Sequence, residues 1–177
     1  MHSQPIAGRG RAAGALLVLL GAWGALVPFV GPYFGYAYTP DKAWAYTSGR
    51  LVLSVLPGAL VFLGGLLVLA SEGSAVIGGF FAAVGGTWFI LGTEILAVAA
   101  PGGHYGPGSP VVTSGSAFAP ATMRLLEHIG FYSGLGAVIV FLGALALGKA
   151  AIARLAGGRY SEAPTAVLEE RQYGGTY

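Results

Sequence analysis

The chain has 177 residues, of which 55% are hydrophobic and 9% are charged, whereas about a quarter of the residues in soluble domains are charged. Nine Lys and Arg against seven Asp and Glu give a net charge of +2, without the basic run that nucleic acid binding needs. The absence of Cys excludes disulfides, thiolate metal sites and a cysteine nucleophile. The composition therefore predicts an integral membrane protein with no nucleic acid partner.

Four apolar segments are long enough to cross a bilayer, since a spanning helix needs about 20 apolar residues. They run from Ala12 to Val30, Leu51 to Ala70, Ala75 to Ala100 and Ile129 to Gly148. In lipid, backbone polar groups must be bonded within the segment, and a helix achieves this. We predict an all-α polytopic fold, with a four-helix transmembrane domain over residues 1–152. A cytoplasmic tail over 153–177 is expected to be disordered unless a partner orders it.

The first segment also has features of a secretory signal peptide, because Arg9 and Arg11 precede its apolar run. The run is long, however, and Trp23 lies near its middle. The run is followed only by a poor match to a small-x-small cleavage site, Gly35-Tyr36-Ala37. We therefore favour an uncleaved first helix.

The positively charged residues predict the orientation, because Lys and Arg concentrate in cytoplasmic segments close to membrane helices. Six lie before the first segment or after the fourth: Arg9, Arg11, Lys149, Arg154, Arg159 and Arg171. Three lie on the other side: Lys42, Arg50 and Arg124. We therefore predict both termini in the cytoplasm. Seven Arg against two Lys is typical of GC-rich bacterial genomes, so the predicted location is a bacterial inner membrane.

The first and third segments resemble each other, as do the second and fourth. Leu60–Leu69 aligns with Ile139–Gly148 at an offset of 79, and Gly14, Gly21 and Trp23 align with Gly79, Gly86 and Trp88 at an offset of 65. This pattern predicts two helical hairpins related as a parallel repeat, and the larger second offset places the longer outer loop in the second hairpin. Chance matches between helices rich in Leu, Val and Gly are the alternative.

The segment from Gly21 to Tyr36, GAWGALVPFVGPYFGY, resembles the signature of the SPW-repeat membrane proteins of bacteria. In that signature a Gly-x-Trp precedes a Ser-Pro-Trp type motif. Here the motif position is Val27-Pro28-Phe29, and the second copy keeps Gly86-x-Trp88 but continues with Gly92-Thr93-Glu94. The resemblance covers most of the four segments. It implies a repeated four-helix membrane protein and no established chemistry.

Glu94 is an acidic residue well inside an apolar segment, about 9 Å below its outer end. A charged group at that depth is costly and by default indicates a functional site. Because Glu94 continues a stripe of small residues that includes Gly86, we expect it to face the interior of the bundle. Arg50 is its first predicted partner, and Arg124 and His128 are alternatives. Glu94 then either fixes the helix register through an ion pair or titrates in an outward-facing cavity.

The loop after the first segment is rich in aromatic residues, which favour the headgroup layer. The candidates for a contact with lipid are Tyr33, Tyr36, Tyr38, Trp44 and Tyr46. The sequence contains no phosphate loop, no G-x-S-x-G and no H-E-x-x-H motif. We therefore predict no catalytic residue, no metal and no cofactor, and an enzyme is the least supported class.

These features favour a non-enzymatic membrane protein that acts by association, as an accessory subunit of a larger complex or as a homo-oligomer. Its predicted partners are the lipid bilayer and other membrane subunits or itself. Small residues on two sides of the third segment support this: Gly78 and Gly86 on one, Gly79 and Ala83 on the other. One alternative is a small transporter, channel or sensor with Glu94 as its titrating group. Another is a protein that binds lipid or quinone through the aromatic loop and a groove between the hairpins.

Overall fold

The fold is a bundle of four long helices, seen in a computed structural model that describes residues 7–34, 43–99, 122, 129–130 and 133–161. Among these residues there is no strand, and the four helices are long and apolar enough to cross a membrane. The prediction of an all-α four-helix membrane protein is confirmed.

The helices extend further than the apolar segments alone predict. Their bounds are Ala7–Val30 for α1, Ser48–Ala70 for α2, Glu72–Ala99 for α3 and Ser133–Ser161 for α4. Within α2, a π-helical stretch at Leu51–Val55 precedes regular α-helix from Leu56. Because α4 continues well past Gly148, residues 153–161 of the predicted tail are helical.

The four helices form a ring around one apolar core. α1 packs on α2, α2 on α3 and α3 on α4, whereas α1 and α4 share a smaller contact. Each helix contributes one large residue that is fully buried at the centre: Leu17, Val61, Phe89 and Ile139. The contact between α1 and α4 therefore differs from the other three.

One residue, Ser71, joins α2 to α3. Its hydroxyl Oγ accepts the Ser74 backbone N–H at 3.1 Å, and the Ser74 Oγ donates to the Leu67 carbonyl at 2.7 Å. Arg154 of α4 donates from Nη2 to the Gly73 carbonyl at 2.9 Å. We call this end of the bundle the turn end, and the opposite end, which holds residues 43–50, the loop end.

Glycines let the paired helices approach closely, as is common between membrane helices. A Cβ built on Gly65 would lie 2.6 Å from the Val18 nitrogen and 2.9 Å from the Gly14 carbonyl oxygen. A Cβ on Gly143 would lie 3.0 Å from the Gly79 carbonyl oxygen. Such distances are shorter than nearly all real Cβ contacts, so the close approach of these helix pairs depends on glycine.

The small residues of α3 pack inside the bundle. A Cβ on Gly78 would meet α2 at Leu67, and a Cβ on Gly79 or Gly86 would meet α4. Ala82 between them is fully buried. These stripes are therefore occupied within one chain, and they do not supply the external association surface that the sequence pattern suggested.

Candidate functional site

Two tryptophans each join one hairpin to the other near the loop end. Trp88 of α3 donates from its indole Nε1 to the Val52 carbonyl of α2 at 3.0 Å. Trp23 of α1 donates from Nε1 to the Gly130 carbonyl, just before α4, at 3.3 Å. Both indoles are therefore hydrogen-bond donors between the two hairpins.

The Trp88 bond satisfies a carbonyl that the helix itself leaves open. In the π-helical stretch of α2 the Leu56 N–H bonds to the Leu51 carbonyl, five residues back. The next bond in this pattern would run from the backbone nitrogen of residue 57 to the Val52 carbonyl. Residue 57 is a proline, however, and has no N–H to donate. In a membrane such a freed carbonyl needs another donor, and the Trp88 indole provides it.

The two tryptophan bonds occupy equivalent positions along the chain. The donors, Trp23 and Trp88, are related by the offset of 65 that aligns α1 with α3, and the acceptors, Val52 and Gly130, by an offset of 78. The same offset of 78 relates the close contact of Gly65 with α1 to that of Gly143 with α3. The packing therefore relates α2 to α4 by an offset of 78, one residue less than the offset of 79 from the sequence alignment. Apolar sequences of this kind can be aligned in several registers.

Arg50 lies buried at the start of α2, with 6% of its surface exposed. Its Nη1 donates to the Ala45 carbonyl at 3.0 Å, and its backbone N–H bonds to the Thr47 hydroxyl Oγ1 at 3.3 Å. The guanidinium thus holds residues 45–47 against the end of the helix. It organises the loop end instead of pairing with Glu94.

Three aromatic rings cover the loop end of the bundle. Phe29 is buried, and its ring centroid lies 5.8 Å from that of Trp44 and 5.3 Å from that of Tyr46. Trp44 has a positive φ of 58°, a backbone conformation that non-glycine residues seldom adopt. We call Phe29, Trp44 and Tyr46 the aromatic cap. Tyr33, another candidate in this loop, is exposed at 66%.

Glu94 points away from the bundle, so the prediction that it faces the interior is wrong. Its side chain is exposed, on the outward face of α3 that also carries Leu91 and Ile95. At about 100° per residue, Glu94 lies about 140° around the helix from the buried Phe89. Among the described residues, no ion pair joins Glu94 to Arg50.

Other predicted site residues lie outside the described residues: Arg124, His128, Tyr36 and Tyr38. Within the part of the chain that the structure describes, no group of three or more His, Asp or Glu side chains lies close enough to hold a metal ion.

The seam between α1 and α4 is open toward the membrane. Trp23 marks the face of α1 that meets α4, and Leu16 lies two turns along the same face. Val138 and Leu145 follow on the matching face of α4. These four side chains are 47%, 46%, 49% and 42% exposed, in that order. We call this junction, where the contact between α1 and α4 is smaller and the four side chains stay partly exposed, the crevice.

The seam between α2 and α3 can be compared with the seam between α1 and α4 residue by residue. The offset of 65 relates α1 to α3, and the offset of 78 relates α2 to α4. Trp88, Phe81, Leu60 and Leu67 occupy the equivalent positions, and all four are half-buried. The two seams therefore differ at every one of these positions. Spacing alone did not reveal the crevice, because both seams are equally apolar in sequence.

The chain was compared with protein-family models, curated proteins and solved structures. No protein-family model, no curated protein and no solved structure matches the chain. The resemblance to the SPW-repeat proteins stays a prediction.

Proposed function

We propose that this is a non-enzymatic integral membrane protein that acts by association, as an accessory subunit of a larger complex or as a homo-oligomer. The exposed position of Glu94 on the outward face of α3 carries this proposal. A carboxylate there is available to another protein in the membrane and not to a path through the bundle.

A physical cost favours a partner for this carboxylate. Glu94 lies in the last turn of the apolar span Glu72–Leu96, where a charge is desolvated beside lipid. A Lys, an Arg or a hydrogen-bond donor on a neighbouring protein would relieve this cost.

The same observation counts against the transporter, channel or sensor hypothesis. That hypothesis needs Glu94 to titrate inside a cavity of the bundle. The centre is instead filled by apolar side chains such as Phe89 and Ile139, which are almost fully buried.

We further propose that the chain is an internal duplication of one helical hairpin, as in the SPW-repeat proteins, lying in a bacterial inner membrane. The equivalent tryptophan bonds and glycine contacts support the duplication. The turn end, with exposed Arg11, Lys149 and Arg154, is then cytoplasmic. Because the chain contains no Cys, single cysteines at Tyr46 and Glu72 test this orientation. Membrane-impermeant maleimide should label Tyr46→Cys in intact cells and Glu72→Cys after lysis.

A photocrosslinking amino acid at position 94 tests the association. The variant is expressed in native membranes, illuminated and analysed by mass spectrometry. Leu63 is the matched control, because it is 50% exposed on the outward face of α2. Position 94 should give one dominant protein adduct, and position 63 should give lipid adducts.

The adduct distinguishes the two forms of association. A second copy of the chain indicates a homo-oligomer, and a different membrane protein indicates an accessory subunit. Equal adduct patterns at positions 94 and 63 would contradict the proposal. Proton flux in liposomes that Glu94→Gln abolishes would revive the transporter hypothesis.

A further inference from the structure

We propose that the crevice between α1 and α4 binds an anionic phospholipid, with an acyl chain along the seam and the phosphate at Lys149. Leu16, Trp23, Val138 and Leu145 line this crevice, and each is at least 42% exposed. The site is separate from the outward face of α3, so it does not depend on the association proposed above.

An acyl chain fits the junction of α1 and α4 better than a further helix does, because α1 and α4 are in contact with each other. α1 and α4 stay joined near the loop end by the bond from the Trp23 indole to the Gly130 carbonyl. Below it, a Cβ built on Gly24 would lie 3.3 Å from Leu135 Cδ2 of α4. A helix with side chains is about 10 Å wide. Two helices in such contact leave no room for a third helix between them, whereas a hydrocarbon chain can lie along their partly exposed apolar side chains.

The charge at the turn end identifies the headgroup. Lys149 follows Leu145 by one helical turn, so it continues the face of α4 that lines the crevice, and it is exposed. It lies within the last two turns of the span Ser133–Arg154, where a long ammonium side chain reaches headgroup depth.

Among the charged side chains that the structure describes, none offsets this ammonium. Arg154 is directed to the Gly73 carbonyl on the α3 side of α4. Arg11 lies seven residues before Val18, which packs against Gly65, so Arg11 faces the α2 side of α1. Glu72 begins α3, across the bundle from the seam. The described charge at the crevice is therefore positive, which favours a lipid phosphate without a compensating cation.

Native mass spectrometry of the full chain in detergent tests the site, with dioleoyl phosphatidylglycerol and dioleoyl phosphatidylcholine as the two probes. The wild type should bind one phosphatidylglycerol in preference to phosphatidylcholine. Lys149→Gln should weaken this binding about fivefold, the effect expected for one basic residue near a membrane surface. Arg11→Gln is the matched control, because it removes one positive charge at the same end, and it should leave the affinity unchanged.

A second variant tests the acyl chain position independently of charge. Leu145→Trp should fill the crevice and lower the binding of phosphatidylglycerol, whereas Leu63→Trp on the outward face of α2 should not. Equal affinity for the two lipids, or equal effects of Lys149→Gln and Arg11→Gln, would overturn the assignment of the phosphate to Lys149. Competition by inorganic phosphate alone would show a free anion site and would also overturn it. Equal effects of the two tryptophan variants would place the chain elsewhere.

Discussion

The bond between Trp88 and α2 gives the sharpest test of this structure. The Val52 carbonyl has no helical donor, because Pro57 occupies the position whose N–H would reach it. The Trp88 indole Nε1 donates to the Val52 carbonyl instead, at 3.0 Å. Replacing Trp88 with Phe removes the donor and leaves an open carbonyl among apolar side chains. We expect this variant to lower the free energy of unfolding.

The expected size follows from the energies of polar contacts between membrane helices. Hydrogen bonds there contribute about 0.6 kcal/mol on average and up to about 1.7 kcal/mol. A carbonyl left without any donor lies at the upper end, so we expect the bond to contribute about 1 to 1.5 kcal/mol. Trp88→Phe also removes contact area from a half-buried ring, so its total effect is larger.

A double-mutant cycle separates the hydrogen bond from the packing. Pro57→Ala restores a backbone N–H opposite the Val52 carbonyl, so the indole is no longer needed there. In that background Trp88→Phe should cost about 1 kcal/mol less than in the wild type, while the lost contact area is the same. Unfolding is followed by far-ultraviolet circular dichroism in mixed detergent micelles with increasing dodecyl sulfate. A coupling below about 0.3 kcal/mol, within the error expected of additive sites, would refute the explanation.

Two further predictions concern packing and the loop end. Gly65→Ala should destabilise the protein by about 1–3 kcal/mol, because its Cβ would meet backbone atoms of α1. At Gly148 an added Cβ would meet no atom of another helix within 4 Å, so Gly148→Ala should leave stability unchanged or slightly raised in the same unfolding assay. Arg50→Gln should cost about 2 kcal/mol and speed proteolysis of residues 43–47, because the Ala45 carbonyl loses a charged donor. Arg11→Gln, at an exposed position, should leave the rate of proteolysis of residues 43–47 as it is in the wild type.

The architecture could be predicted from the sequence, because lipid imposes strong constraints on composition and length. A long apolar run without a charge has few solutions other than a spanning helix. The bounds were less predictable, since Arg11 and Glu72 lie within helices that begin before their apolar runs do. A window of apolar residues stops at such charges, whereas the helix continues through them.

The orientation of individual side chains could not be predicted with the same security. Small residues mark a packed face, but a stripe drawn in steps of three and four drifts around the helix. Gly86 faces α4 and Glu94, eight residues later, faces out. The same limit applied to Arg50, which was predicted to pair with Glu94 and whose guanidinium bonds to the carbonyl of Ala45.

The two tryptophans show what the sequence contained and what it hid. Their equivalent places in the first and third apolar segments are visible in the letters, and so is Pro57. The connection between Trp88 and the carbonyl that Pro57 leaves open requires the ring order of the helices, which places α3 beside α2. The sequence alone therefore shows the donor Trp88 and the proline that interrupts α2, but it does not show that the two are in contact.

The difference between the two seams has a simple physical origin in the chain path. Ser71 alone joins α2 to α3, so their seam is closed at the turn end and packs along its length. α1 and α4 have no such link at that end, and the Trp23 bond holds them near the loop end. Two equivalent hairpins thus make one seam that the chain closes and one that it leaves open. A ligand that lies in the membrane can enter the open seam without breaking any helix pair, and the exposed Lys149 lies one helical turn beyond Leu145 on the same face of α4.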